Sequence, residues 1–463
     1  MKYFIKRIIA AFLLGAVCMG GAVYASDSDN TDEQSNLVAA DGETDNKNYR
    51  MPKFEITYFY GPHNEQLIDE SFYEKIAEAG FTSIPLEYGN TEYNTKALPM
   101  LRKYVLTCSA LSDARIDNVI GLDRSFSPDT PQEEVDRIIS EVVADYADYM
   151  DVIEGWLLQD EPSEVRFEIL GKVVKAFRKY SPEKSTMINL FPVYADSAAL
   201  GTPTYQDYLD EFVKQVDPHY LSYDHYHFFA DGTVRNDFFE NLEKVRDTAK
   251  ESGIDPMIII LLTTHMNYAN VTPDQIEWEV NTSLTYGMKR ISYFTFILEQ
   301  YLLDAGWTNA CMSYTGEIWP HYYDVQKINK WLLPLGEELF DKESTAVFHM
   351  PRFTGNKGET VALEVGCERY TPYGDLGKAY GQDFVIGFFD DGSFMITNKK
   401  WNEFQGTHNN FVFADIESGL EYFNPEKGAW CDAEADGIVT RNYYGQLSRK
   451  FDLGEGILFR VSK

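Results

Sequence analysis

Between residues 54 and 299 the chain repeats one alternation eight times: a short apolar run rich in β-branched and aromatic residues, then a longer stretch with helical spacing. The runs are 54–61, 81–89, 104–116, 153–162, 185–195, 219–228, 256–266 and 290–299. Near-continuous apolar runs of this length suit strands buried on both faces, as a helix-covered parallel sheet requires. The segments between them carry helix punctuation. TPQEEVDRIISEVVADYADYM (130–150) and TPDQIEWEVNTSLTYG (272–287) both place Thr at an N-cap and Pro at the first helical position, and the second stops on Gly287. Residues 236–250 show apolar spacing of three and four, with Gly253 as a stop. Eight β/α units exceed what a doubly wound open sheet usually holds, and no GxGxxG opens a helix. The expected class is α/β, a (β/α)8 TIM barrel over residues 51–343.

After the helix-like YDVQKINKWLLPLGEELF (323–340) the texture changes. Residues 344–463 alternate short apolar runs with Gly, Asp and Asn turns, which predicts a small all-β sandwich domain. Within it FFDDGSFMI reads as a hairpin on an Asp-Gly turn.

The start of the chain has a different character. Lys2, Lys6 and Arg7 precede an apolar stretch from Ile8 to about Val23, and Val23-Tyr24-Ala25 fits the small-residue rule, so residues 1–25 are expected to be a signal peptide cleaved after Ala25. Secretion or display at the cell surface follows. Cys18 is preceded by Gly15-Ala16-Val17, a poor lipoprotein box, so a lipid anchor is not expected. Residues 26–50 carry seven acids and two bases and read as a disordered acidic leader. No later run is apolar and long enough to span a bilayer.

Across the 463 residues 73 acidic side chains face 41 basic ones, for a formal net charge of −32, which becomes −35 once Lys2, Lys6 and Arg7 are removed. Nucleic acid is excluded as a partner, since binding it needs a basic footprint. A neutral or cationic ligand suits this surface better than an acidic polysaccharide. Cys108, Cys311, Cys367 and Cys431 are widely spaced, with no CxxC pair and no His at zinc-site spacing, so neither metal nor cofactor is expected. Cys108 lies in an apolar run and reads as a small buried hydrophobe.

A barrel of this kind works from the C-terminal ends of its strands. Those ends supply Tyr58, Glu87, Asp113, Arg115, Asp160, Glu161, Asn189, Tyr223, Asp224, His225, Tyr226, His265 and Glu299, with Trp307 in the aromatic segment that follows. Carboxylates bond sugar hydroxyls and aromatic faces stack on sugar C–H faces, so a rim of this make-up is expected to form a carbohydrate cleft. The sharpest feature is GWLLQDEPS (155–163), an apolar strand that stops at two adjacent acids and is closed by Pro162. Neighbouring strand residues point to opposite sides, so one of Asp160 and Glu161 faces the axis while the other braces the rim or the next helix.

GWLLQDEPS, LSYDHYHF and ISYFTF, with a closing GEGILFRV, resemble secreted bacterial TIM-barrel glycoside hydrolases, nearest to the β-galactosidase-like group within a larger clan of retaining enzymes. The resemblance implies an acid/base Glu at the end of strand 4, where this chain has Glu161, preceded by Asp160 instead of the clan's Asn. It also implies a nucleophilic Glu at the end of strand 7. There the chain reads LLTTHM, with Thr263, Thr264 and His265 and no acid, so the retaining mechanism does not carry over.

The expectation is therefore a secreted glycoside hydrolase cleaving a neutral oligo- or polysaccharide. Glu161 acts as general acid, and Asp224 or Glu299 is the second carboxylate, base or nucleophile. Tyr58, Glu87, Asp113, Arg115, Asp160, Asn189, Tyr223, His225, Tyr226, His265 and Trp307 are expected to bind substrate. The alternative is a non-catalytic carbohydrate-binding barrel that has lost its strand-7 nucleophile.

Overall fold

The computed structural model describes residues 51–121, 130–354, 359–402, 406 and 408–462. The expected signal peptide, Cys18 and the acidic leader lie outside them. Each of the eight apolar runs contains a strand at its heart: β1 Glu55–Tyr58, β2 Ser83–Leu86, β3 Thr107–Leu111, β4 Gly155–Asp160, β5 Ser185–Leu190, β6 Tyr220–His225, β7 Asp255–Leu261 and β8 Arg290–Phe294. They form one sheet in the order β1-β8-β7-β6-β5-β4-β3-β2 with parallel neighbours, so the last strand returns to the first. The remaining seam is drawn together by Thr82, which donates its backbone N–H to Ile56 O (3.0 Å) and accepts from Ile56 N at Oγ1 (3.0 Å). This is a TIM barrel, with helices between the strands.

Helix boundaries follow the local chemistry. Thr272 caps the helix Pro273–Thr285 through a reciprocal bond with Gln275, with Pro273 in its first turn. The helix expected to start after Thr130 begins one residue later: Pro131 is extended (φ −62°, ψ 146°) and serves as the cap of Gln132–Asp145. The helix Phe238–Ser252 ends on Gly253 in the left-handed region.

The barrel interior is polar along its axis. At its base Arg290 and Glu55, directly opposed on β8 and β1, form a buried ion pair. Above them Thr57 meets Ser109 (3.1 Å), and higher still Ser222 donates to Asn189 Oδ1 (3.1 Å). The apolar core lies outside this column, between sheet and helices; Trp156 on β4, for example, stacks on Phe177 with centroids 5.0 Å apart.

From Ser344 onward the described strands pair antiparallel. A six-stranded sheet and a four-stranded sheet share one core, in which Phe384 meets Phe411 (5.2 Å) and Phe451 (5.3 Å), and Phe413 meets Phe459 (5.4 Å). The hairpin through FFDDGSFMI closes on three residues, Asp390-Asp391-Gly392, instead of two; Gly392 takes φ +87°, the left-handed position a three-residue loop needs. This region seats on the barrel helix Pro273–Thr285. Trp278 Nε1 donates to Lys399 O (3.0 Å) and Asn281 Nδ2 to Gly454 O (2.9 Å). Gly387 lies so close that a Cβ there would sit 1.9 Å from Thr285 O, so only glycine fits.

Candidate active site

The C-terminal ends of β4, β5 and β6 converge on one group of side chains. Asn189, on β5, donates through Nδ2 to Asp160 Oδ1 (3.0 Å) and to Asp224 Oδ1 (2.8 Å), so the two carboxylate oxygens are no farther apart than those bonds laid end to end. Ser222 fixes the amide's orientation from the other side. Asp160 is exposed on the rim, whereas Asp224 is buried. Glu161 follows directly with φ +43°, a left-handed conformation that costs a glutamate about 1–3 kcal/mol and persists only where the surroundings impose it. Here its N–H donates to Asn189 O (2.8 Å), and Tyr208 holds the next residue by donating to Pro162 O (2.7 Å).

The electrostatics follow from this crowding. Burial, then the Asp224 and Asp160 carboxylates, push the Glu161 carboxyl well above the usual range. Burial and Asp160 also raise Asp224, to about 7, against the opposing pull of the Asn189 bond and Arg235. One carboxyl is thus pushed strongly toward its protonated form beside another that titrates near neutrality, the kind of separation an acid/base pair needs.

An aromatic wall stands beside the acids. Tyr226 stacks on Phe294 (5.3 Å), and His265 packs against Tyr226 (5.3 Å), Phe294 (5.1 Å), Tyr268 (4.9 Å) and Trp307 (4.8 Å). His265 Nδ1 donates to Thr263 O (2.8 Å), and burial pushes the imidazole down to about 4, so it is neutral with Nε2 as an acceptor. Arg235, which sequence reasoning missed, lies with its guanidinium 3.5 Å from the Tyr194 ring centre, donating to Tyr226 O (3.2 Å) and the Tyr268 hydroxyl (3.0 Å). It comes from the segment after β6, where no periodicity marks it; the only available signal was a lone cation in a rim segment of an acidic chain.

Glu299 and Glu87 do not join the acid group around Glu161. They form a second cluster across His63, also missed from sequence. Gly61 N donates to Glu87 Oε1 (2.7 Å) and His63 N to Glu299 Oε1 (2.7 Å), while the His63 ring lies 3.4 Å from Glu87 and 3.7 Å from Glu299. Burial alone would depress this imidazole, but the two carboxylates raise it to about 9. Among the described residues no group of three His, Cys, Asp or Glu side chains is placed to hold a metal ion.

Five residues expected on the rim are placed elsewhere. Tyr58 is 1% exposed, packed between Phe81 and Phe296. Tyr223 and His225 are fully buried on the helix side of β6, because Asp224 between them faces the axis and alternation sends its neighbours outward. His225 bonds Asp237 (2.9 Å) there. Asp113 caps the helix Ala114–Ile120 and takes a two-pronged bond from Arg115 (2.9 Å each) and one from Tyr146 (3.0 Å). Burial would raise its carboxyl, but these partners hold it below the usual range. Asp113 and Arg115 are thus spent on structure.

No protein-family model and no curated protein sequence matches the chain. Solved structures do. Gan42B, a GH42 β-galactosidase from G. stearothermophilus solved as a catalytic mutant, superposes with a TM-score of 0.55 over 90% of this chain and 100% of that one, at 8% identity. The likeness is one of fold. The β-galactosidases of Bacillus circulans sp. alkalophilus and psychrophilic Marinomonas ef1 give TM-scores of 0.48 and 0.45 at 11% and 8% identity, over 64% and 62% of this chain. The chain spans 58% and 62% of those two proteins. The barrel and its antiparallel companion therefore share the fold of that GH42 β-galactosidase.

Proposed function

We propose that the protein hydrolyses a glycosidic bond of a neutral glycan, with Glu161 as general acid and Asp224 as the second carboxylate. The observation that carries this reading is the convergence of Glu161, Asp160 and Asp224 around Asn189 at the mouth of the barrel, with Asp224 raised to about 7 and Glu161 held well above its usual range. Glu161 gives its proton to the glycosidic oxygen as the C1–O bond breaks. Asp224 takes a proton from the water that attacks C1 from the opposite face. Glu161 follows the end of β4 and Asp224 lies on β6, with β5 between them, a spacing that suits inversion at C1 better than a covalent intermediate. Tyr226, His265 and Trp307 offer ring faces to the sugar. Export, read from residues 1–25, places the activity outside the cytoplasm.

A second reading, a barrel that binds glycan without cleaving it, is favoured by the end of β7. Thr263 is engaged with Thr295 O (3.1 Å), and the segment Thr263-Thr264-His265 after β7 holds no acid where the resembled clan carries its nucleophile. Incubation with a panel of neutral aryl glycosides and oligosaccharides, followed by chromatography and NMR of the newborn anomer, separates the two. Cleavage with inversion is expected. Binding with no product supports the second reading, and retention makes Asp224 a nucleophile.

A further inference from the structure

The helix Phe238–Ser252 has an unusual start. Its N-cap, Asp237, belongs to a residue type that ordinarily accepts from the first-turn N–H groups, yet its side chain makes no such bond. Asp237 turns instead to His225 Nε2 (2.9 Å), which donates to it from a fully buried ring whose Nδ1 has no hydrogen-bond partner. The orphaned N–H groups are taken by a carboxylate from the other end of the chain: Glu364 Oε2 accepts from Phe239 N (2.5 Å) and Glu240 N (3.0 Å), 125 and 124 residues away in sequence.

The segment between these anchors borders the candidate site at both ends. His225 directly follows Asp224, and Arg235, two residues before Asp237, holds the Tyr194, Tyr226 and Tyr268 side of the mouth. His225 also meets the Tyr194 ring edge-on at 5.2 Å. We infer that Glu364, from the C-terminal β region, is a positioning residue for the site: by capping the helix in place of Asp237 it frees Asp237 to clamp His225, and so fixes the segment from Asp224 to Arg235. This gives the antiparallel region a part in the chemistry that a covering layer alone would not have. The inference rests on the reading of Asp224 as the second carboxylate.

The test compares Glu364→Ala with Glu364→Gln in the whole protein. The Gln carbonyl oxygen can accept the same two N–H bonds, whereas Ala removes the acceptor. Glu364→Ala is expected to speed hydrogen exchange at the Phe239 and Glu240 amides and shift the His225 Nε2–H resonance. It should also lower kcat on an aryl glycoside about tenfold, with KM changed less than about twofold, because a displaced catalytic group costs rate more than affinity. Glu364→Gln should restore all three signals. Loss of amide protection with an unchanged His225 resonance, or with unchanged kcat, overturns the inference and reduces Glu364 to a helix cap. If the wild type cleaves no glycoside, the function proposed above fails, and the His225 resonance still decides the clamp because it needs no substrate.

Discussion

Replacing Asn189 with Leu removes a side chain that donates to both Asp160 and Asp224 while keeping its shape. A hydrogen bond to a charged acceptor contributes about 1.5–3 kcal/mol, and the lower figure corresponds to about one pKa unit. Asp224 stands at about 7 with the 2.8 Å bond from Asn189 in place. Without it, the ionised form loses support and the value rises by about one unit. At pH 7 the ionised fraction of the base then drops from roughly a half to roughly a tenth, about a fivefold loss in kcat/KM, whereas near pH 9 both proteins are ionised and nearly equal. The assay is kcat/KM against pH, read at the acid limb, which belongs to the carboxyl group as a cluster because its members titrate together. A limb displaced upward by about one unit is expected. A uniform loss at every pH, or a limb that stays put or moves down, refutes the role given to Asn189 and Asp224.

Other consequences are as direct. Asp224 titrates at 3.8 when unfolded and at about 7 when folded, so unfolding releases its proton in between and its contribution to stability falls as pH rises through that window. Asp224→Asn should therefore raise the melting temperature by a few degrees at pH 8 and leave it unchanged near pH 3.5, at the expense of turnover. Asp113→Ala should cost roughly 2–4 kcal/mol in denaturant unfolding, through a lost helix cap and the lost bonds from Arg115 and Tyr146, with kcat in the folded protein unchanged. Trp307→Ala removes the ring beside His265 and should raise KM about fivefold, near 1 kcal/mol of aromatic contact, with a smaller effect on kcat.

The strands were legible because each run is rich in β-branched and aromatic residues and is followed by a segment of helical spacing, even though the axis side of several strands is polar. The candidate site was legible to the extent that strand ends can be read: Glu161, Asp160, Asn189, Asp224, Tyr226 and His265 all lie at or just past the ends of β4 to β7. Which side of a strand faces the axis was less legible. Once Asp224 is turned inward, alternation already sends Tyr223 and His225 to the helices, a constraint the run of polar residues in YDHYHF conceals. In β4 a register shift between Leu157 and Gln159 breaks simple alternation before the two acids, so counting along GWLLQDEPS cannot say which faces in. Asp113 and Arg115 look like rim residues but lie two apart at a helix start, where cap chemistry claims them. Arg235, His63 and Glu364 come from irregular segments, and contacts spanning up to 236 residues, as between His63 and Glu299, leave no local pattern.

Proton delivery by Glu161 is checked with Glu161→Gln on aryl glycosides whose leaving phenols span a range of acidity. Turnover of the poorest leaving groups should fall about 10²–10⁴-fold, the loss shrinking steadily as the phenol becomes acidic enough to depart unprotonated. Near-normal turnover across the whole series would contradict it.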